Sequence, residues 1–520
     1  MGAIFPAGSE SESALLESSV QESVMRIDPI RKEGYELLQD GIVALAEVEA
    51  NGIRIDTGRL ASTQDDLTNK IRKLKEELET SELWKVWRRR FGTKASLGSR
   101  DQLAIVLHDE LGFKVGETTE GGKPSTDEEA LQKINHPDVL TFCQLAKYVK
   151  ALGTFIKGIE REIVEDRLHP VYNLHLARTY RSSSDSPNFQ NYPVRDKEIA
   201  EIIRSLFIPS AGCVLVENDF KGIEVALSAA YHHDPVFIDY ITTPGKDMHR
   251  DMAAQLYMLE PKQVDKDIRY GAKNKFVFPQ FYGDFYVSCA RSLWEWMRAG
   301  KLQGPDGKPL REHLKAQGID RLGACDPEEK PLPHSFEKHV KAVEDDFWNR
   351  RFKVYGQWRK QWYQDYLEKG SFDLLTGFRV AGAFARNAVT NYPIQGSAFH
   401  CLLWSLIQIN RTLTKHKMQS KVVGQIHDSL LGDVPVDELR SYLEIVEEVT
   451  LEALPQHWRW LNVPPEIEYE ICPLGGNWFQ KKEFKFKQGR FTHPQQPDKS
   501  TTDPERFVRA LGKATHDRTL

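Results

Sequence analysis

The sequence predicts a chain that mixes helices and strands, in the broad α/β class and with the separate helical and strand regions of an α+β fold. Three patterns lead to that class. The apolar run 214–224 is typical of a buried strand that delivers an acid, Asp219, to its end. The stretch 420–435 alternates as a β-hairpin and carries Asp428 within it. Over 57–90, apolar residues recur at helical spacing, which predicts a long amphipathic helix.

The composition is that of a globular protein, with 40% hydrophobic residues, 28% charged residues and a net charge of −5. This balance excludes a wholly basic surface but is compatible with a local basic cleft. Six scattered cysteines without C-x-x-C spacing predict reduced thiols, with no disulfide framework and no zinc site. No unbroken apolar run approaches the roughly 18 residues of a membrane span, and the first residues lack a secretory signal pattern. We therefore expect a cytoplasmic monomer with no membrane partner.

The first third of the chain is predicted to be helical after a flexible, Ser- and Glu-rich lead-in at 1–34. A helical pattern over 35–50 ends at Asn51-Gly52, a common helix stop. The helix 57–90 has a leucine-rich stripe and ends in a tryptophan and arginine cluster at 84–90. That cluster fits contact with a phosphate backbone, and it fits a solvated helix end equally well.

Further along, extended pieces at 168–215 give way to helices over 220–300 and again over 336–370. The Gly- and Pro-rich stretch at about 296–336 predicts an insertion. Residues 464–472 predict one more strand.

The last segment, 479–520, is distinctly basic, with ten Lys or Arg against five Asp or Glu. Its phenylalanines, Phe484, Phe486 and Phe491, are interleaved with basic residues. Such interleaving fits contact with a single nucleic-acid strand, and it fits an edge strand guarded by lysines at least as well.

Several charged residues predict phosphate chemistry. Asp219 and Asp428 each lie at a strand end, so two carboxylates far apart in sequence would meet over metal ions. Taken singly, an acid of this kind is as easily the cap of a strand–helix junction. Glu224 follows Asp219 by five residues, inside the next helix. Arg269 and Lys273, at i and i+4, share one helix face and suit a grip on a triphosphate.

Three segments resemble motifs of the family A DNA polymerases, the bacterial polymerase I group. Residues 219–225 (Asp-Phe-Lys-Gly-Ile-Glu-Val) resemble motif A, 269–283 resembles motif B (Arg-x3-Lys-x3-Phe-x3-Tyr-Gly), and 425–429 (Gln-Ile-His-Asp-Ser) resembles motif C. Weaker matches follow in the family's order, at 179–191, at Asp247-x-His249, at 391–396 and at the closing Gly-Gly-Asn-Trp of 475–478.

By this resemblance, Asp219 and Asp428 are the catalytic acids and hold two Mg²⁺ ions, for which Mn²⁺ can substitute. Phe220 adds its backbone carbonyl to the metal site. Glu224 is a steric gate that closes the space a ribose 2′-hydroxyl needs. The family's third acid is replaced here by Ser429, so two carboxylates would hold both metals.

The resemblance also gives nucleotide-binding roles to residues of the helical region. Arg269 and Lys273 would hold the triphosphate, and His249 would contact a phosphate. Phe278 would disfavour dideoxynucleotides, and Tyr282 would stack near the templating pair.

The motif B segment departs from the family in its spacing. Lys273 and Phe278 are five residues apart, one more than the family pattern, and Pro279 follows directly. We expect a π-bulge or kink between 274 and 279 that absorbs the extra residue. Lys275 stays open as an alternative to Lys273.

Four residues are expected to contact DNA. Arg181 would lie in the primer-terminal minor groove, and Asn391 and Gln395 would contact the template and the minor groove, with His427 of motif C beside them. Minor-groove acceptors are nearly the same for every base pair, so such contacts test pair geometry without reading sequence. Gly222 stands where motif A has Gln, so that side-chain contact is lost.

The fold implied by the resemblance is a right hand with an antiparallel palm sheet, helical fingers and a helical thumb. Its predicted parts are a thumb at 35–165, a palm at 166–229 and 351–478, fingers at 230–350 that contain the motif B helix at about 266–283 and the insertion, and the basic tail at 479–520.

The implied function is DNA-templated addition of dNTPs to a primer 3′ end, with primer-template DNA and dNTPs as partners. No Asp-x-Glu proofreading site precedes the thumb-like region, so we expect no 3′ excision and a separate exonuclease or processivity factor. The insertion and tail suggest a phage or viral branch, hence the host cytoplasm.

Three alternatives stay open. They are a single-subunit RNA polymerase of the same fold, which Glu224 argues against; a metal phosphohydrolase, which explains only His427-Asp428; and an inactive DNA-binding scaffold.

Overall fold

The structure is a computed structural model that describes residues 28–114, 122–299, 302–493 and 496–513. The described residues form two hydrophobic cores. The larger core joins the central sheet to the helices of the first third of the chain, and the smaller is built almost wholly from residues 229–355. Most of the predicted lead-in, up to residue 27, lies outside the described residues.

A seven-stranded antiparallel sheet forms the centre of the chain. In spatial order its strands are Lys421–Ile426, Ser429–Pro435, Cys213–Phe220, Ile467–Ile471, Lys482–Lys487, Arg490–His493 and Gln496–Thr501. In the third of these, Val214, Leu215 and Val216 are buried in succession, so both faces of the sheet are covered there. The predicted hairpin at 420–435 and strand at 464–472 are confirmed.

Two helices pack together beside this sheet, Lys32–Asn51 and the 30-residue Arg386–Lys415. Asn410 donates a hydrogen bond from Nδ2 to Glu47 Oε2 at 2.9 Å across their contact. The sequence had assigned 35–50 to the thumb. In the structure this helix packs against Arg386–Lys415 and the strand Lys421–Ile426 instead, because its buried stripe faces them.

The other helices of the first third pack around their own part of the larger core. They are Thr57–Thr80, Glu82–Phe91, Arg100–Ile105 with the π-helical turn Val106–Glu110, Glu128–Ile134, and Pro137–Lys150 followed by Ala151–Ile156 and Lys157–Glu162. The predicted single helix 57–90 is broken at Ser81, whose Oγ accepts a hydrogen bond from the Trp84 N–H at 3.1 Å and so caps a second helix. Trp87 is fully buried, so this part of the 84–90 cluster belongs to the core.

Among the described residues, one helix, 137–162, is long and apolar enough to cross a membrane by length and composition. The sequence has no unbroken apolar run of that length here, because charged residues such as Lys147 and Lys150 interrupt the apolar ones without ending the helix. In the structure its residues Val139, Phe142 and Leu145 are buried, and the helix packs against Thr57–Thr80. A helix of a protein core meets the same criteria.

The smaller core lies among the helices of the predicted fingers. These are Ile223–His232, Pro235–Thr242, Met248–Tyr257, Lys266–Ala272, Phe278–Tyr282, Tyr286–Ala299, Leu310–Ala316, Phe336–Asp346 and Lys353–Lys369. Leu310 and Leu314 of the predicted insertion are buried in this core. The described part of the insertion is therefore packed onto these helices.

Smaller elements complete the fold. Short strands form three further sheets, made of Asp28–Pro29, Phe378–Ala381 and Ser371–Asp373; of Ile163–Val164, Arg167–Leu168, Ile53–Ile55 and Phe207–Ile208; and of Val171–Asn173 and Ser183–Asp185. The remaining α-helices are Lys197–Arg204, Leu439–Glu447, Leu454–His457 and Pro504–Lys513.

The basic tail is folded rather than a free arm over its described residues. It adds the last three strands of the central sheet, and the helix Pro504–Lys513 packs on them. Phe484, Phe486 and Phe491 are all buried, so their rings cannot stack on nucleic-acid bases. Alternation puts the rings inside and the charges outside. The edge-strand interpretation is wrong in one respect, because Lys482–Lys487 and Arg490–His493 are each paired on both sides and Gln496–Thr501 forms the edge.

Replacing Phe491 with Ala is expected to destabilise these strands by about 3–5 kcal/mol, the usual cost of emptying a buried phenylalanine site. Native-state hydrogen exchange of residues 482–493 measures the loss of protection. The matched control is Lys485→Ala on the adjacent strand, whose exposed side chain should change protection by less than about 0.5 kcal/mol. Unchanged protection in Phe491→Ala would refute the buried tail.

Candidate active site

The sheet register brings Asp219 and Asp428 together. Ser429 lies directly opposite Asp219 in the antiparallel pair, and Asp428 precedes it in the turn that closes the hairpin. The Phe220 backbone N–H donates a hydrogen bond to the Asp428 carbonyl at 3.1 Å. His427 enables the tight turn with a left-handed φ of 52°. Two acids 209 residues apart in sequence (428 − 219) therefore lie together at the same end of two neighbouring strands.

The electrostatics of this pair disfavour two bare negative charges. Burial, followed by the neighbouring carboxylates Asp428, Glu217 and Glu468, raises the pKa of Asp219 to about 8. Burial likewise raises the pKa of Asp428, although the Arg181 guanidinium works in the other direction. A nearby cation would relieve this cost and favour both charged forms.

The donors present fit a hard divalent cation. Across the part of the chain that the structure describes, no three His, Cys, Asp or Glu side chains cluster tightly enough to hold a metal alone. Mg²⁺ does not need such a cluster, because it commonly binds one or two carboxylates and takes its other ligands from water and substrate phosphates. Asp219 and Asp428 supply that minimum. Phe220 adds a backbone position beside them, and the role of its carbonyl stays a prediction.

The Asp428 turn is held by a buried glutamine that the sequence analysis did not single out. Gln425 Nε2 donates to the His427 carbonyl at 2.8 Å. Gln425 Oε1 in turn accepts hydrogen bonds from Ser182 Oγ at 2.6 Å and Gln190 Nε2 at 2.8 Å. A polar side chain inside an otherwise apolar strand was the available signal, since a buried amide needs partners.

Glu224 lines a cavity beside the two aspartates. Gly222, with φ of 60°, makes the left-handed turn that ends the strand and begins the helix Ile223–His232. One Glu224 oxygen accepts from the Tyr282 hydroxyl at 2.6 Å and the other forms an ion pair with Arg181. The cavity has a volume of about 180 Å³, and its lining includes Glu224, Phe278, Tyr282, Asn391, Gln395 and Asp428.

The predicted irregularity in the motif B helix is confirmed. Between the α-helical pieces Lys266–Ala272 and Phe278–Tyr282 lies a π-helical segment, Lys273–Val277. The Phe278 N–H bonds to the Lys273 carbonyl, five residues back. The wider turn absorbs the extra residue and returns Phe278 to the face that carries Lys273.

The Phe278 ring is contacted by Lys273 of this segment and by His249 of the helix Met248–Tyr257. The Lys273 ammonium lies 5.1 Å from the centre of the Phe278 ring, and the His249 ring meets the same ring edge-on at 5.6 Å. Burial first, then the charges of Arg269 and Lys273, lower the pKa of His249 to about 4. Arg269 Nε donates to Asp247 Oδ2 at 2.6 Å.

The geometry thus favours Lys273 over Lys275, because Lys273 lies with Phe278 and His249. The nucleotide-binding roles of all these residues remain predictions. The Nδ1 atom of His249 is buried and has no hydrogen-bond partner within the described residues.

Of the four residues predicted to contact DNA, Asn391 and Gln395 line the same cavity. Asn391 Nδ2 donates to the Tyr282 carbonyl at 3.0 Å, and Gln395 lines the cavity. His427 is exposed at the hairpin turn. Arg181 is turned inward onto Glu224 in this structure, so a primer contact would compete with that ion pair.

Comparison with known proteins gives the following matches. The family model for DNA polymerase family A matches residues 58–296 and 373–480. The thermostable DNA polymerase I of Thermus filiformis is 28% identical over 459 residues, covering 84% of this chain and 47% of the relative. The DNA polymerase I of Lactococcus lactis subsp. cremoris is 27% identical over 466 residues, covering 88% and 47%. The chain spans about half the length of these curated relatives.

Among solved structures, the POL domain of Pol1 from M. smegmatis, in complex with DNA primer-template and dNTP, superposes with a TM-score of 0.65 at 23% identity. The alignment covers 90% of this chain and 73% of that one. This likeness shows the fold, and it confirms the α+β class.

Proposed function

The chain belongs to DNA polymerase family A, and on that premise we propose that it is a DNA-templated DNA polymerase that adds dNTPs to a primer 3′ end. The observation that carries the proposal is that Asp219 and Asp428 lie together at the end of two neighbouring strands, beside a cavity that Glu224 lines. Primer-template DNA and dNTPs are the proposed partners.

Asp219 and Asp428 would hold the metal ions, proposed to be two Mg²⁺ with Mn²⁺ able to substitute. When bound, such ions lower the pKa of an attacking hydroxyl and offset charge on the phosphates. The protein's own contribution is placement. The hydrogen bonds of Phe220 and Gln425 fix the strand end and the turn relative to each other before any substrate arrives.

The triphosphate would lie against the face formed by Arg269, Lys273 and His249. The two cations offset negative charge that develops on the leaving pyrophosphate. Asp247 fixes the Arg269 guanidinium in one orientation through their 2.6 Å hydrogen bond. His249, held neutral by its lowered pKa, can donate or accept one hydrogen bond but adds no charge at neutral pH.

The cavity supports selection of a correct deoxynucleotide. Glu224, which lines the cavity and is held by Tyr282 and Arg181, is the proposed steric gate against a ribose 2′-hydroxyl. Asn391 and Gln395 present amide groups that suit the near-uniform minor-groove acceptors of paired bases. Of the alternatives, the RNA polymerase is disfavoured by Glu224, and the described residues offer a phosphohydrolase no additional metal-binding cluster.

The test is single-nucleotide addition to four primer-templates that differ only in the templating base, each offered one dNTP at a time with Mg²⁺. We expect each template to accept its complementary dNTP at least about 10³-fold better than the others, in kcat/KM. Addition without regard to the template, preferential use of rNTPs, or phosphate release without extension would each point to a different enzyme. An inert wild type would overturn the proposal.

The assignment of the triphosphate lysine gives a further prediction. Lys273→Met is expected to lower kcat/KM for dNTPs by about 10²-fold, because a charge-assisted contact to phosphate is lost. Lys275→Met is the matched control, two residues away on the same π-helical segment, and should change kcat/KM by less than about threefold. The reverse order of effects would move the assignment to Lys275.

A further inference from the structure

A buried carboxylate, Glu217, lies beside the two aspartates and has no part in the chemistry described above. It stands two residues before Asp219 on the strand Cys213–Phe220, so both side chains point to the same face of the sheet. Its Oε1 accepts a hydrogen bond from Ser429 Oγ at 3.2 Å. Ser429 directly follows Asp428, and its own side chain is buried.

Glu217 is rigidly held. Its Oε2 accepts hydrogen bonds from Trp478 Nε1 at 2.9 Å and from Lys481 Nζ at 2.6 Å. The side chains of Glu217 and Lys481 are only 12% and 17% exposed. A buried ion pair costs desolvation energy unless hydrogen bonds complete its geometry, and here donors reach both carboxylate oxygens. The charge is therefore kept at this place by three side chains, those of Ser429, Trp478 and Lys481.

The position of Glu217 bears on the missing acid of motif C. The family pattern has a carboxylate at the position that Ser429 occupies, and in this chain the carboxylate of Glu217 contacts that position from the neighbouring strand. A glutamate at 429 would reach into the same space and meet a like charge. Positions 217 and 429 therefore have room for one acidic side chain. In this chain that side chain is Glu217, on the strand of Asp219.

We propose that Glu217 is a positioning residue that replaces the acid missing after Asp428, by pinning Ser429 and the adjoining turn to the strand that carries Asp219. This inference rests on the proposed polymerase function. The turn has two further tethers, the Gln425 bond to the His427 carbonyl and the backbone bond from the Phe220 N–H to the Asp428 carbonyl. Within the described residues, only Glu217 ties it to the Asp219 strand through a side chain. The negative charge of Glu217 also adds to the field that attracts a divalent cation.

The test measures single-nucleotide addition by the full chain in Glu217→Gln, Ser429→Ala and the exchange variant Glu217→Ser/Ser429→Glu. We expect Glu217→Gln to lower kcat by about 10-fold or more, since small misplacements at a reacting centre are costly, while KM for dNTP changes by less than about threefold. The exchange variant should recover most of the kcat that Glu217→Ser alone loses.

A second measurement needs no turnover. Mn²⁺ binding to the complex with a dideoxy-terminated primer-template, followed by electron paramagnetic resonance, should weaken in Glu217→Gln.

The matched control is Glu470→Gln. Glu470 pairs with Glu217 across the sheet and shares Lys481 with it, but makes no contact with Ser429. It should keep wild-type kcat, so a loss there would mean that disturbance of the Lys481 pairing, rather than the contact with Ser429, is responsible.

Two results would overturn the inference: wild-type kcat and Mn²⁺ affinity in Glu217→Gln, or an exchange variant no better than Glu217→Ser alone. If thermal melting shows that Glu217→Gln does not fold, Ser429→Ala decides, because it removes one hydroxyl and leaves the carboxylate in place; unchanged kcat there refutes the tether. If the wild type is active and the variants give either overturning result, only the role of Glu217 is refuted and the proposed polymerase function stands. If the wild type is inert, the proposed function and the role of Glu217 both fail.

Discussion

Asp219→Asn and Asp428→Asn are each expected to lower the rate of primer extension by about 10³-fold or more. Each removes one of the two carboxylates proposed to hold the metal ions, and loss of several kcal/mol of transition-state stabilisation corresponds to that factor. Single-turnover extension of a labelled primer with saturating dNTP and Mg²⁺ measures the effect.

Two controls separate loss of chemistry from loss of structure. Asparagine should not lower the thermal stability of the metal-free protein, because burial and like charges already disfavour the ionised form of Asp219. Glu466→Gln removes an exposed carboxylate from just before the strand Ile467–Ile471 and should leave the rate within about twofold. Extension at near wild-type rate by either aspartate variant would mean that the metal ligands lie elsewhere.

Glu224→Ala is expected to reduce the preference for dNTP over rNTP by about 10²-fold, mainly by raising kcat/KM for the ribonucleotide. The physical reason is steric. The Glu224 side chain, fixed by Tyr282 and Arg181, lines the cavity, and alanine in its place is expected to leave room for a 2′-hydroxyl. Parallel measurements of kcat/KM for dATP and ATP opposite the same template base give the ratio.

Tyr282→Phe is the matched variant for this prediction. It removes only the hydroxyl that donates to Glu224 Oε2 at 2.6 Å and leaves the ring in the cavity wall. The gate loses one of two restraints, so the preference should fall only several-fold, between wild type and Glu224→Ala. Unchanged discrimination in Glu224→Ala would show that another group excludes the ribose hydroxyl.

Local patterns in the sequence predicted much of the active site. The strands that deliver Asp219 and Asp428 follow from short apolar runs, since burial of both sheet faces leaves a clear signature. The π-helical segment was predicted from one surplus residue before Pro279, because a helix that must keep both Lys273 and Phe278 on one face has few ways to absorb it.

Contacts between distant segments could not be predicted in the same way. The bond between Ser182 and Gln425 joins residues 243 positions apart, and no local pattern encodes it. Glu217 was within reach of the sequence, since a side chain two residues before Asp219 must share its face of the strand. The ion pair of Arg181 with Glu224 was missed because each was considered only with its expected substrate contact.

The tail and the first helix show where a pattern fits two structures. Alternating phenylalanines and lysines suit both a nucleic-acid surface and a half-buried strand, and only the packing of Phe484 and Phe491 decides between them. The helix Lys32–Asn51 has an apolar stripe that reveals a buried face but not its partner. Its packing against Arg386–Lys415 is set by tertiary contacts between segments that are distant in sequence.

The most direct test of the two-acid site is anomalous scattering from Mn²⁺ in crystals of the chain bound to a dideoxy-terminated primer-template and the next dNTP. The expected result is anomalous peaks within about 2.0–2.5 Å of carboxylate oxygens of both Asp219 and Asp428, with the triphosphate on the face of Arg269 and Lys273. Mn²⁺ bound to the triphosphate with neither aspartate in its coordination shell would contradict the account.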